Sequence, residues 1–278
     1  MKLPSDRLEL TPKQLEKAWK NLPHFDLAEL KAIPKTLVDI STPFVGSGTP
    51  DQQVDAFMLA LAVAYNDLKG ALWMIKVLFD AQPKDKNEIS ALNGQRVGMD
   101  RQFYRLTLSY IHEVLELVKR ENALIRSDQF REILSRTPNR CQKDWEEIVS
   151  FSLEADETRT HKHAPPKSMK AALETVRSSG TFHYYNIKNF WYGYKHHFEK
   201  DSPHSAYAWA SLGKNAEETR FYYADAAMDG IVNSRTGIDS KKFTETVDQL
   251  VKSVGYVIRY LLEHYIEVRL AAQSEAHM

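Results

Sequence analysis

The chain has 278 residues, of which 43% are hydrophobic and 27% are charged, and its 37 basic side chains equal its 37 acidic ones in number. This composition is typical of a folded protein and excludes a wholly disordered chain, while the charge balance leaves no net field to attract polyanions. Any affinity for nucleic acid must therefore come from a local patch.

Cysteine usage and apolar runs narrow the class of protein further. Cys141 is the only cysteine, which excludes an intrachain disulfide and a multi-cysteine zinc site and fits a reducing cytoplasm. We interpret it as a structural thiol. The longest apolar run lies at about Ala56–Tyr65, far below the ~18 residues that span a bilayer. We therefore predict a cytoplasmic protein with no membrane association.

The first 48 residues differ in composition from the rest of the chain. They contain five of the 11 prolines and only short amphipathic pieces, one of them a predicted helix at Thr11–Asn21. We predict that residues 1–48 form an arm that packs on the rest of the chain or on a partner. Residues 49–278 are predicted to form one helical domain.

Three long segments of that domain show helical periodicity. Apolar side chains recur every three or four residues over Thr49–Phe79, Asp100–Glu121 and Ser240–Ala271, as one face of an amphipathic helix requires. At 1.5 Å per residue these helices would be ~33–48 Å long. Lengths of this kind favour an all-α helical bundle.

Shorter elements connect the long helices. Helices are predicted at Ser127–Arg136, Pro138–Leu153 and Pro166–Arg177, with Gly180 placed to end the last of these, and over residues 186–198. Residues 205–231 allow two interpretations. Segments 206–212 and 219–223 could pair as one short β-hairpin. We favour the alternative, a helix from Asn215 onward.

Arginine and histidine pairs are the only plausible reagents in the sequence. Arginine matches phosphate with a planar fork of donors, and histidine exchanges protons near neutral pH. The spacing arginine, four to six residues, histidine occurs three times, at Arg105 and His112, Arg177 and His183, and Arg259 and His264. The Arg259 pair lies ~140° apart around its predicted helix, whereas Arg105 and His112 share a face and remain a competitor.

The neighbourhood of Arg177 and His183 distinguishes this pair from the others. The polar Ser178 follows the arginine, and the pair straddles a predicted helix end where backbone groups are free to meet a ligand. From residue 159 to residue 200 there are eight lysines and arginines, two glutamates and a run of aromatic side chains. Such a mixture suits RNA, and Lys188, Tyr192 and Lys195 are our candidate contacts.

The pair could cleave RNA without a metal or any other cofactor. The histidine would deprotonate the ribose 2′-hydroxyl or protonate the leaving oxygen, and the arginine would stabilise the charge that builds on the phosphorus. The scheme requires no cysteine and no glycine-rich loop. We therefore predict His183 as general acid or base and Arg177 as the phosphate-stabilising residue.

The pattern arginine, polar residue, four further residues and histidine, with Tyr185 two positions after His183, resembles the motif of the HEPN superfamily. Proteins of that superfamily are all-α and typically dimeric, and many are RNA-cutting toxins or antiviral effectors. The resemblance implies that Arg177 and His183 of two protomers meet at a dimer interface and that Ser178 orients them. It also implies that Tyr185 is a site of nucleotidylation by an antitoxin or other regulatory partner.

Several alternatives remain open. Arg177 could simply complement the dipole of a helix end, and the aromatic run could be core, with Phe190, Trp191, Tyr194 and Phe198 at helical spacing. The bundle could also bind RNA, nucleotide or protein without catalysis, or be a plain interaction module. The pairs His161–His163 and His196–His197 do not supply a metal geometry. His112 with Glu113 and Glu116 forms a polar edge whose acids could position a histidine.

Overall fold

A computed structural model describes the backbone of residues 7–9, 36–38, 52–80, 91–153, 169–181, 187–200, 210–211, 214, 219–236 and 240–276. In this part of the chain the architecture is an all-α bundle with two very short strand pairs, which confirms the predicted fold class. The predicted helix at Thr11–Asn21 lies outside the described residues.

The three long helices lie where periodicity predicts them. Helix α1 spans Gln52–Asp80, α2 spans Ala91–Arg120, and α8 spans Ser240–Ala276. Helix α2 begins nine residues earlier than predicted, over a polar stretch that lacks a clear apolar stripe. It is the central element, since it packs against α1, α8 and most of the shorter helices.

The shorter helices follow the predicted order. A 3-10 turn at Leu124–Arg126 leads into α3 at Asp128–Ser135, and α4 spans Asn139–Leu153. Helix α3 begins as a capped helix should, because the backbone N–H of Phe130 donates to the Ser127 hydroxyl over 3.3 Å. Helices α5, α6 and α7 span Met169–Thr175, Ile187–Lys200 and Tyr222–Thr236.

The helix predicted to end at Arg177 continues instead. Helix α5 passes directly into a π-helical segment at Val176–Thr181. Gly180 therefore lies in the last turn of a helical segment that is described as far as Thr181, and the helix does not end at Arg177 as predicted. A π-helical segment of this kind is rare and often occurs at functional sites.

The two strand pairs are small. Strands β3 (Ala210–Ser211) and β4 (Arg220–Phe221) pair antiparallel, so the short hairpin predicted within residues 206–223 is present. The preferred alternative, a helix from Asn215 onward, is wrong in its start, because Arg220 and Phe221 form β4 and α7 begins at Tyr222. Residues 215–218 lie outside the described residues. Near the N-terminus, β1 (Arg7–Glu9) pairs antiparallel with β2 (Thr36–Val38). The docking of residues 1–48 on the bundle or on a partner stays a prediction.

Helices α6 and α7 cross in backbone contact at a pair of glycines. A β-carbon at Gly193 would overlap the carbonyl group of Ala227, and one at Gly230 would overlap the backbone of Gly193. The residue at each position therefore has no room for a side chain. These two helices form the most extensive contact between elements in the described part of the chain.

The hydrophobic core lies between α1, α2, α4 and α8. Val54, Phe57, Met58 and Leu61 of α1 belong to one buried cluster with residues of α8 that include Val254, Ile258 and Leu261. The apolar stripe predicted to face inward on α1 includes Leu72 and Phe79. This prediction is wrong at the C-terminal end of the helix, because these two side chains are 38% and 62% exposed. Ala71 and Leu78 are buried in that half of the helix instead.

No helix in the described ranges combines the length and the apolar composition needed to cross a bilayer.

Candidate functional site

The π-helical segment places Arg177 against the central helix α2. Val176, the residue before Arg177, is 1% exposed and anchors the segment in the core. Arg177 and Ser178 follow it and are both half-buried. The segment thus holds these two polar residues at the edge of the interior, where one side can still meet solvent.

Arg177 forms an ion pair with Glu113 of α2. Its Nε atom lies 2.7 Å from Oε1 of Glu113, and the two side chains are 38% and 53% exposed. The contact is an ion pair rather than a hydrogen bond, because Nε has no acceptor in a suitable direction. Glu113 therefore restrains the guanidinium while leaving hydrogen-bonding capacity unused.

His112 is the buried member of this group. It is 6% exposed, its Nδ1 atom lies 4.0 Å from Oε1 of Glu113, and that nitrogen has no hydrogen-bond partner. Burial lowers the pKa of His112 below its usual value, with the neighbouring Arg177 adding to the effect. The imidazole is therefore neutral at pH 7 in this environment.

Three carboxylates from α2 and α5 act on His112. Glu113 and Glu116 of α2 and Glu174 of α5 each act on the pKa of His112 in the upward direction, against the larger effect of burial. We call Arg177, Glu113, His112, Glu116 and Glu174 the Arg177 cluster. Its members come from helices that are far apart in sequence, so only packing brings them together.

The cluster joins halves of two different sequence pairs. Arg177 belongs to the favoured pair and His112 to the competing one, and the arginine that acts on the pKa of His112 is Arg177. His183 and Tyr185 lie outside the described residues. The proximity of Arg177 to His183 and the role of Tyr185 therefore stay predictions.

The predicted RNA contacts lie together on α6. Lys188, Tyr192 and Lys195 are all exposed and share one side of the helix by their spacing. Trp191 is 65% exposed beside them, so the interpretation of Trp191 as a core residue is wrong. Phe190 and Tyr194 are half-buried, and the side chain of Phe198 is not among those described.

The third sequence pair is separated as predicted. Nε of Arg259 lies 2.8 Å from Oε1 of Glu263, and Nδ1 of His264 lies 2.9 Å from Oε2 of Glu267. Each residue thus pairs with a carboxylate one turn further along its own helix. The pair forms no joint site.

The remaining candidates for chemistry in the sequence are metal-ligating side chains and Cys141. Within the described ranges, no three histidine, cysteine, aspartate or glutamate side chains are arranged to hold a metal ion. His161 and His163 lie outside those ranges. Cys141 is fully buried, as a structural thiol would be, and burial raises its pKa.

Sequence reasoning noticed Glu113 only as part of a polar edge. The signal that could have identified it is local: a histidine on the apolar face of a long helix, flanked by Glu113 and Glu116. Its partner Arg177 is remote in sequence, and no spacing rule connects them.

Comparison of the chain with models of known protein families, with curated proteins and with solved structures finds no match.

Proposed function

We propose that the protein is a metal-independent endoribonuclease of HEPN type that acts in defence or as a toxin. Arg177 stabilises the negative charge on the scissile phosphate, and His183 is the general acid or base. Ser178 and Glu113 orient Arg177. The chain works as a homodimer under the control of an antitoxin or other regulatory protein, which modifies Tyr185.

One observation carries this proposal: Arg177 sits on a π-helical segment and is held across the helix interface by Glu113 while 38% of its side chain stays exposed. A purely structural arginine is expected to use its donors fully, because an unused buried donor costs about 1–3 kcal/mol. Restraint by Glu113, combined with an Nε donor that has no hydrogen-bond partner, suits a residue that awaits an anionic ligand.

The chemistry follows from the two side chains. The ribose 2′-oxygen attacks phosphorus, its proton passes to a base, and the bond from phosphorus to the 5′-oxygen breaks as that oxygen gains a proton. The products are a 2′,3′-cyclic phosphate and a free 5′-hydroxyl. His112 cannot touch the strand from its buried position, so its place is that of a neutral neighbour that adds no charge beside Arg177.

The test is cleavage of single-stranded RNA by the purified protein in the presence of a metal chelator. We expect fragments that end in 2′,3′-cyclic phosphate. Arg177→Ala and His183→Ala should each lower the rate by about 10²-fold or more, while the circular dichroism spectrum and the mass in solution stay unchanged.

Matched controls use residues of the same type elsewhere. His264→Ala and Arg136→Ala remove a histidine and an arginine whose carboxylate partners, Glu267 and Glu132, lie within one helical turn of them in sequence. Both variants should cleave at the normal rate. Cleavage that survives His183→Ala, or that is lost equally in the controls, would exclude the proposed mechanism.

A non-catalytic RNA-binding module is the second candidate. It is favoured by the ion pair itself, since Glu113 already offsets part of the Arg177 charge. In that case the natural protein, Arg177→Ala and His183→Ala all fail to cleave RNA, and Glu113→Gln strengthens RNA binding by freeing the guanidinium.

A further inference from the structure

A second feature that could bind a ligand is the groove between α1 and α8. The groove has a volume of about 480 Å³ and is lined by side chains from both helices. Its lining includes neither Arg177 nor the exposed α6 residues Lys188, Tyr192 and Lys195. We call it the α1–α8 groove.

Two rows of cations border this groove. Lys69 and Lys76 lie on α1, and Lys252 and Arg259 lie on α8. The members of each row are seven residues apart, which places them on the same side of the helix at a separation of ~10 Å. All four residues are exposed. No carboxylate is found among the described residues that line the groove.

The space between these rows is apolar and aromatic. Leu68, Leu72 and Val251 line it, together with the rings of Tyr65, Trp73 and Tyr256. The Arg140 guanidinium lies 4.7 Å from the centre of the Tyr256 ring and adds a further cation beside that ring. Aromatic surfaces between rows of cations are the pattern by which proteins bind single strands, with phosphates at the rim and bases on the rings.

The other flank of α8 shows that this charge is not a general property of the surface. A groove of about 380 Å³ between α4 and α8 is lined by Asp144, Glu147 and Glu245. Its described lining contains no lysine or arginine. An anionic strand is therefore attracted to one flank of α8 and repelled from the other.

We infer that the α1–α8 groove binds a short segment of single-stranded nucleic acid. Cations of the two rows contact the phosphates, and the bases lie against Tyr65, Trp73 and Tyr256. This inference does not rest on cleavage at the Arg177 cluster, because it concerns binding alone and uses different residues.

The first test measures binding of a fluorescent single-stranded 2′-O-methyl oligonucleotide, which lacks the 2′-hydroxyl needed for cleavage. The double variant Lys76→Ala, Lys252→Ala should bind about tenfold more weakly. The slope of log affinity against log salt concentration should become shallower by about 1.4, since each lost phosphate contact on a single strand contributes about 0.7.

The second test blocks the groove without removing charge. A β-carbon at Gly255, which lines the groove, meets no atom within 4 Å, and the same is true at Gly70, which does not line it. Gly255→Leu and Gly70→Leu are thus matched changes of helical glycines that have open space beside them, Gly255 being half-buried and Gly70 exposed, and neither should harm the fold. Only Gly255→Leu should weaken binding, by about tenfold.

A third variant should strengthen binding. Glu263 pairs with Arg259 at 2.8 Å from outside the groove lining. Glu263→Gln removes this competing carboxylate, so the affinity should rise about two- to threefold. A purely structural role for Arg259 predicts no such gain.

The inference is overturned if Gly255→Leu binds like the natural protein, if Gly70→Leu loses as much affinity as Gly255→Leu, or if polyglutamate displaces the oligonucleotide at equal charge concentration. The last result would identify an acidic peptide as the occupant. Arg136→Ala, which removes an arginine that pairs with Glu132 and does not line the groove, should bind the oligonucleotide normally. The groove is tested by Gly255→Leu and the cleavage mechanism by His183→Ala, so the two failures are read from different variants.

Discussion

Two arginine–carboxylate contacts join distant helices of this protein, and they differ in how completely their partners are satisfied. In the first, Asp55 of α1 accepts hydrogen bonds from the Tyr265 hydroxyl, over 2.6 Å, and from Arg269 of α8. In the second, Glu113 meets Arg177 at 2.7 Å, while Nδ1 of neighbouring His112 has no hydrogen-bond partner.

Burial separates the two contacts as well. Asp55 and Arg269 are 19% and 21% exposed, whereas Glu113 and Arg177 are 53% and 38% exposed. Burial raises the pKa of Tyr265, and the hydrogen bond that its hydroxyl donates to Asp55 raises it further. The Asp55 group is therefore the more enclosed of the two, and one carboxylate oxygen accepts from both partners, as a structural clasp between the ends of α1 and α8 should do. The Arg177 cluster is open and only partly used, as a binding site should be.

The largest difference is expected when each carboxylate is removed. Asp55→Ala leaves the Tyr265 hydroxyl and Arg269 without their shared acceptor in a mostly buried site. We expect the free energy of unfolding to fall by about 2–3 kcal/mol, because the stranded groups keep their desolvation cost. Urea titration followed by circular dichroism measures this loss. A loss below about 1 kcal/mol would contradict the description of this contact as a clasp.

The Tyr265 hydroxyl can be tested separately. Tyr265→Phe keeps the ring, which is 1% exposed, and removes only the hydrogen bond to Asp55. The expected loss is about 1 kcal/mol, since Arg269 still satisfies the carboxylate. If the loss equals that of Asp55→Ala, the hydroxyl and not the ion pair carries the contact.

The corresponding change in the open cluster should matter less for stability. Glu113→Gln removes a half-exposed ion pair, and such pairs contribute about 0.2–1 kcal/mol. We expect a loss near 0.5 kcal/mol in the same urea titration, together with altered RNA binding or cleavage. A loss as large as that of Asp55→Ala would place Arg177 and Glu113 among the structural contacts.

The smallest effect concerns pH. Because the folded-state pKa of His112 is lowered from about 6.5, the unfolded chain binds a proton at a higher pH than the folded one does. The contribution of His112 to stability is thus complete above about pH 6.5 and is lost as the pH falls through the folded-state pKa. His112→Gln should make stability less dependent on pH from about 7.5 down to 5.5. An unchanged slope would show that His112 is not buried as a neutral group.

Local patterns predicted much of the fold. Ser127 begins α3 through a side-chain cap, and the periodic stripe of α8 puts Val247, Val254, Ile258 and Leu261 in the core. These successes share a cause, because caps and stripes are properties of a few neighbouring residues.

The failures arise where distant elements decide the outcome. Leu72 belongs to an apolar stripe but is exposed, since the α1–α8 groove opens beside it. Trp191 is exposed because the opposite side of α6, at Gly193, packs on α7. The π-helical segment, which continues past Gly180, also escaped prediction from caps and breakers.

The candidate site likewise has one part that a local motif predicts and another part that depends on the packing of distant elements. Arg177 and Ser178 were identified from a local motif, and the companions of Arg177 were not, because Glu113 reaches it only through the packing of α2 on the π-helical segment. A rule based on spacing can propose one half of such a site. The other half requires the fold.

The glycine crossing between α6 and α7 has a consequence for how this protein can vary. Helix α6 carries Lys188, Tyr192 and Lys195, and its position is set by backbone contact at Gly193 and Gly230. In a saturation mutagenesis screen for stable folding, we expect these two positions to accept no other residue, while Gly70 and Gly255 accept nearly all. The exposed side chains of α6 can therefore be replaced freely, but the position of this helix relative to α7 is fixed by two glycines that have no side chain to exchange.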